Sequence, residues 1–250
     1  MGEVRRRGVA LVNTPAHDWS NVANFIPFET TIKAAKDAGL SVGDYIDTIM
    51  NKTPGVTRLT IDNLASLGVY SGTVNWVVEI GPGSGRYVEK TLSVCSPSTY
   101  ELYETATEWG SYVAKKFNVL LQPTDGHSLK ATPSGSADVV QAFKVFTTIP
   151  FSKTSRYWLE MVRVTRPGGW VVFDAVTEPC LDTKTVEVWA KAAIDNGSHP
   201  AVLPRSVALN YFKERGFSCL GSFIVPMSPG TCETFVFRKG SVDHGRPSPT

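Results

Sequence analysis

From residue 70 onward, apolar positions fall into short β-branched runs separated by longer stretches with helical spacing. Val74, Val77, Val78 and Ile80 make the first run and predict a buried parallel strand. Gly81, Gly83 and Gly85 follow at alternating positions, and a helical pattern opens at Arg86. Residues 98–103, 118–122 and 136–143 predict the second, third and fourth strands. An amphipathic helix over 158–164, a turn at 166–169 and a fifth strand over 170–173 come next. Residues 217–225 and 231–237 read as an antiparallel hairpin joined through 226–230, and 179–204 as a long insertion before the next helix. Upstream, 30–39 predicts a helix ending at Gly39, a glycine that can close it in a left-handed conformation. Ser41 caps a second helix with Asp44 in its first turn, and this helix runs to Met50. Pro54 and Gly55 break it, and Thr60 or Asp62 opens a third helix that runs to Gly68.

Strands alternating with helices predict an α/β doubly wound sheet. At 250 residues the chain suits one such domain over 71–240, with an N-terminal helical extension over 1–70 and a disordered tail over 241–250. The extension either forms a lid over the ligand site or covers one edge of the sheet. Trp19, Phe25, Phe28 and Tyr45 within it could line a pocket, although core packing is the commoner fate of such residues. With 25 basic and 23 acidic residues the formal net charge is +2, which argues for no nucleic-acid partner. Cys95, Cys180, Cys219 and Cys232 are scattered, without a C-x-x-C pair, and read as reduced core thiols of a cytoplasmic protein. The apolar run 8–12 is too short for a signal peptide, and no run approaches the ~20 residues of a membrane span.

The strand, glycine-rich turn and helix are the geometry of a nucleotide site, in which glycines allow close backbone approach and helix N–H groups face the ligand. The spacing E-x-G-x-G-x-G differs from the dinucleotide fingerprint G-x-G-x-x-G, which would place its third glycine at Arg86. The stretch VVEIGPGSG resembles motif I of the class I S-adenosylmethionine (SAM)-dependent methyltransferases. The phrase EMVRVTRPGGWVVFDAV resembles the late helix–turn–strand unit of the same family, and four such segments stand in order over residues ~74 to 176. The resemblance implies a Rossmann-like seven-stranded sheet, mostly parallel with a C-terminal antiparallel hairpin. It implies SAM as cofactor and S-adenosylhomocysteine as product. In that frame Glu79 would help hold the methionine amino group, with Gly81, Gly83 and Gly85 forming the turn. Glu104, ~20 residues past the glycines, would accept from the ribose hydroxyls. Asp125, beside Gly126, would meet the adenine amino group, and Gln141 would sit by the methionine moiety.

Candidate bases lie on loops after the strands, where ligands bind in such sheets. Similar sequences often carry a His near Thr148, and this chain does not. Glu178, His127 and Asp174 are the catalytic candidates, with Glu178 favoured, and Lys144 reads as a substrate or structural contact. No role is assigned to His17 or His199. Asp174, Glu178 and Asp182 offer oxygen donors to a divalent metal, but their spacing does not require one, and no metal ligand is assigned. YETATEW and VVFDAVTEPCLD look most like an actinobacterial group that includes sugar O-methyltransferases of polysaccharide assembly. The expected activity is therefore O-methylation of a sugar, glycan or polar hydroxylated metabolite. The alternative is a natural-product methyltransferase acting on a phenol or amine. Small-molecule or oligosaccharide substrates, no membrane, and a monomer or homodimer complete the expectation.

Overall fold

The computed structural model describes residues 26–196, 200–228 and 230–241. The expectations for His17, Trp19, Phe25, His199, the 8–12 run and residues 242–250 lie outside the described residues.

The five predicted strands and the hairpin form one sheet: β1 (Trp76–Ile80), β2 (Thr99–Tyr103), β3 (Leu120–Leu121), β4 (Ala137–Ala142), β5 (Thr165–Ala175), β6 (Phe217–Pro226) and β7 (Thr231–Lys239). Their order is β3-β2-β1-β4-β5-β7-β6. The pairs from β3 through β5 are parallel, and β7 runs antiparallel between β5 and β6. The fold is thus the seven-stranded, Rossmann-like α/β sheet with a C-terminal hairpin that the resemblance implied. Strand order reverses between β1 and β4, which is where ligands bind in open parallel sheets.

Alternation along the strands builds two cores, one on each face. Val78, Ile80, Val140, Ala142, Val171 and Phe173 pack with Trp158 and Met161 of α6 (Phe151–Val164) and Phe212 of α8 (Arg205–Lys213). Val77, Leu102, Val139 and Val172 face the other way, against Ile61 and Leu64 of α3 (Val56–Ser66), Val88 of α4 (Arg86–Leu92) and Val113 of α5 (Thr107–Phe117). The third helix of the N-terminal region is therefore a layer of the sheet core. It opens at Val56, four or more residues before the expected start, once Gly55 turns the chain at φ +76°.

Ahead of it, α1 (Phe28–Asp37) and α2 (Val42–Tyr45) lead into a wider π-turn, Ile46–Met50. Ser41 caps α2 by accepting from the Asp44 N–H at 3.1 Å, as expected. These elements dock on α5: Phe28 meets Trp109 edge-on at 4.9 Å, and the Trp109 indole donates to the Ile26 carbonyl.

The remaining boundaries differ for local reasons. β3 is two residues long because only Glu101 and Leu102 of β2 pair with it. α6 starts at Phe151, directly after Pro150, seven residues before the expected start. The expected turn at 166–169 is an irregularity inside β5, whose register with β4 jumps between Ala137 and Val139. A Cβ on Gly169 would meet the Ala137 carbonyl at 2.9 Å, so glycine permits that close approach. The 179–204 insertion holds a 3₁₀ turn, Glu178–Cys180, and α7 (Thr183–Asn196). The four cysteines are free, but Cys219 is exposed and Cys95 only half-buried, so they are not all core thiols.

Candidate functional site

A cavity of about 700 Å³ opens at the C-terminal ends of β1, β2 and β4, where the topology places a ligand. Its floor is the glycine turn. Gly81 and Gly85 sit at φ +60° and +79°. A Cβ on Gly81 would lie 2.6 Å from Val145, and one on Gly85 would press on Val113 and Phe117. Gly81 thus admits the β4 loop, while Gly85 admits α5 and does not line the cavity. At Gly83 the Cβ direction is open, and its N–H donates to Glu104 Oε2 at 2.7 Å.

Glu104 is one residue beyond β2 and lines the cavity. Its other oxygen accepts from the Ala106 N–H at 2.8 Å. Burial holds its carboxyl above the usual range despite these bonds. Asp125 and Gly126 line the adjoining wall. Asp125 accepts from the N–H groups of His127 and Ser128, the Ser128 hydroxyl and the Lys130 ammonium. Partial burial raises its pKa, but the bonds from Ser128 and Lys130 outweigh this and hold it well below the ordinary carboxylate range.

Besides Gly85, two expected cofactor residues lie off the cavity wall. Glu79 and Gln141 are paired across β1 and β4 and do not line the cavity. The Glu79 carboxylate accepts from the Tyr100 hydroxyl and from Gln141 Nε2, and Gln141 Oε1 accepts from Tyr70. Burial pushes Glu79 up to about 7 against these two donors. The pair anchors a buried polar cluster under the turn.

None of the three expected catalytic groups lines the cavity either. Glu178 is exposed in its 3₁₀ turn and accepts from the Arg205 N–H. The His127 ring contacts the carbonyl of Asp125 at its Nδ1 atom, outside the cavity wall. Asp174 is fully buried; it accepts from the Lys144 N–H at 2.7 Å and pairs with the Lys144 ammonium at 3.0 Å. Asp182 caps Thr185, so the three oxygen donors considered for a metal have separate partners. Among the described residues no three His, Cys, Asp or Glu side chains gather as a metal site.

Residues that the sequence reading did not single out complete the wall. Arg86, directly after the last glycine, reaches Asp47 at 2.6 Å, and Asp47 also takes two bonds from Thr57. Tyr87 stacks on Phe143 at 4.3 Å, and both line the cavity. Met50, Trp109, Val145, Ile149, Tyr157 and Met227 add apolar surface to the wall. The turn with its open backbone at Gly83, the Glu104 carboxylate beyond β2 and the acidic β3 loop line one cavity, and that donor and acceptor set fits a nucleoside-bearing cofactor such as SAM.

Residues 78–173 match the family model described as a methyltransferase domain. No curated sequence relative matches the chain. Among solved structures, it is similar to magnesium protoporphyrin IX methyltransferase ChlM from Synechocystis PCC 6803 with bound S-adenosylhomocysteine. The TM-score is 0.58 and the identity 13%, over 74% of this chain and 84% of that one. The N-methyltransferase NodS from Bradyrhizobium japonicum WM9, with the same ligand, gives 0.55 and 16%, over 74% and 87%. The [4+2]-cyclase SpnF gives 0.56 and 14%, over 74% and 81%. Among the described residues no helix is long and apolar enough to cross a membrane. Residues 78–173 thus match a methyltransferase domain, and the fold around them is that of these S-adenosylhomocysteine-binding structures.

Proposed function

We propose that this enzyme O-methylates a small molecule at an acidic oxygen, that of a phenol, an enol or a carboxylic acid. One observation carries the reading: among the described residues, every carboxylate that lines the cavity is already held by backbone or lysine donors, and no imidazole lines it. A sugar hydroxyl must lose its proton as the new bond forms, a task for a placed base. An acidic oxygen enters already ionised and needs only placement, which supplies on the order of 7–11 kcal/mol. When bound, SAM supplies a methyl on a sulfonium, which becomes the thioether of S-adenosylhomocysteine as the methyl leaves.

The chain's own residues then have defined tasks. Gly81, Gly83, Glu104, Asp125 and Gly126 bind the cofactor. Met50, Ile149, Tyr157 and Met227 exclude water and receive an apolar acceptor body. The free cysteines support a reducing, cytoplasmic setting. The π-turn, the loop after it and the start of α3 contribute Met50, Asn51, Thr53 and Val56 to the cavity wall, which supports a covering role for the N-terminal region.

The test is an acceptor screen with radiolabelled methyl-SAM, with and without chelator, comparing phenols and carboxylic acids with sugars and amines. Label transfer to the acids and phenols is expected. Label confined to sugars or amines would overturn the reading.

A further inference from the structure

Three features of the cavity wall belong to no task given so far. Tyr87 is buried, and its hydroxyl has no hydrogen-bond partner among the described residues. Leaving a hydroxyl buried and unpaired costs stability, so its retention on a cavity wall calls for a ligand partner. Lys144 is one of three described non-glycine residues at positive φ, here +60°, and the only one of them that lines the cavity. That conformation is unfavourable for a residue with a Cβ, and such strain gathers at functional sites. It persists here because Asp174 binds both the Lys144 N–H and its ammonium.

The ammonium has three N–H donors. One reaches Asp174 and one the Cys232 sulfur, at 3.0 and 2.6 Å. A third remains, on a side chain still 16% open. Burial disfavours the charge, but buried Asp174 outweighs it and holds the Lys144 pKa well above normal. The Cys232 thiol is pushed up to about 12 by burial, so it remains a thiol. Lys144 therefore stays charged and serves as a donor, with no capacity to act as a base. Tyr87 lines the same cavity, stacked on Phe143, the residue before Lys144, and burial keeps its phenol protonated.

We propose that Lys144 and Tyr87 form the acceptor-oxygen subsite, donating together to the anionic oxygen of a carboxylate or phenolate. This rests on the acidic-oxygen reading and names the groups that enforce it. With an anionic acceptor, the oxygen–carbon bond forms from an oxygen lone pair as the sulfur–carbon bond breaks, and no proton has to move. On a carboxylate, one oxygen can take the two donors while the other stays free to attack. The same ammonium repels a protonated amine, which separates oxygen from nitrogen acceptors.

The test is a binding experiment with ring compounds of like size: benzoate, benzyl alcohol and benzylamine, titrated by calorimetry into the full chain saturated with S-adenosylhomocysteine. Benzoate should bind at least about tenfold tighter than the other two, as hydrogen bonds to a charged group imply. Tyr87→Phe should weaken benzoate by about tenfold, leave S-adenosylhomocysteine affinity unchanged and leave the melting temperature equal or higher, since an unpaired hydroxyl is removed. Lys144→Met should abolish the benzoate preference; if it fails to fold, the Tyr87→Phe arm decides. Absence of a benzoate preference, or a Tyr87→Phe variant that loses S-adenosylhomocysteine and keeps benzoate, would overturn the proposal. Failure of S-adenosylhomocysteine to bind wild type would strike at the cofactor reading instead. Benzoate titrated alone would then still report on the subsite.

Discussion

Replacing Glu79 with glutamine should change how stability depends on pH, and the structure fixes the sign. Glu79 is fully buried with Tyr100 and Gln141 as donors, and its pKa moves from an ordinary 4.5 to about 7, burial being the largest cause. Between those values the folded chain keeps a proton that the unfolded chain releases. Its contribution is therefore complete below pH 4.5 and is lost as the pH climbs to about 7. At about 1.4 kcal/mol per pH decade the full loss is about 3.5 kcal/mol. Glutamine keeps the shape and an acceptor oxygen but cannot ionise. Urea unfolding at pH 5 and pH 8, for wild type and Glu79→Gln, isolates this group from all others that titrate. The stability difference should move toward the variant by about 2.5 kcal/mol between the two conditions, since at pH 5 the unfolded glutamate is already largely ionised. A difference that stays the same at both would refute the reasoning. S-adenosylhomocysteine affinity should not change, because the carboxylate lies outside the cavity wall.

Glu104→Ala should weaken S-adenosylhomocysteine binding by about 1.5–3 kcal/mol for each charge-assisted bond lost, measured by calorimetry. Gly81→Ala should lower stability by about 1–2 kcal/mol from its positive φ alone, before the 2.6 Å approach to Val145 is added, and thermal unfolding will show it. Asp47→Ala strands the buried Arg86 guanidinium and should cost about 3–5 kcal/mol in chemical denaturation. Glu178→Gln and His127→Ala should both turn over at near wild-type rates once an acceptor is in hand, since neither side chain lines the cavity; a dead variant of either would restore a base to the mechanism.

The sheet was legible in the sequence because its signals are local. β-branched runs, a glycine turn and an amphipathic helix each fit within a dozen residues, and their order specifies a doubly wound sheet. Element ends were less legible. α6 takes in Phe151 to Tyr157, where Pro150 sets the start but the apolar spacing is sparse. α3 begins at Val56 because its packing against the sheet outweighs the weaker start signal at Thr60. The π-turn at Ile46–Met50, which carries Met50 to the cavity, has no local signature that spacing could reveal.

The site divides along a rule that the strands themselves supply. Side chains two apart on a strand share a face. Val77 and Glu79 therefore point to the α3–α4 side, as do Val139 with Gln141 and Val172 with Asp174. An acid or amide at such a position is enclosed by the helix layer and must find a partner within it. Glu79 and Gln141 find each other and Tyr100, while Asp174 finds Lys144. Strand parity, read from Val77 and Val139, was thus a signal that could have moved Glu79 and Gln141 out of the cofactor set. Glu104 and Asp125 escape the rule because each lies beyond the end of its strand, where the chain turns over the open edge and a carboxylate can face the cavity. Tyr87 escapes it differently. It follows the glycine turn by two residues, and stacking on Phe143 fixes its ring beside the β4 loop. That contact joins residues 56 apart in the chain, and it holds Tyr87 against the residue that precedes Lys144, so that both line the one cavity.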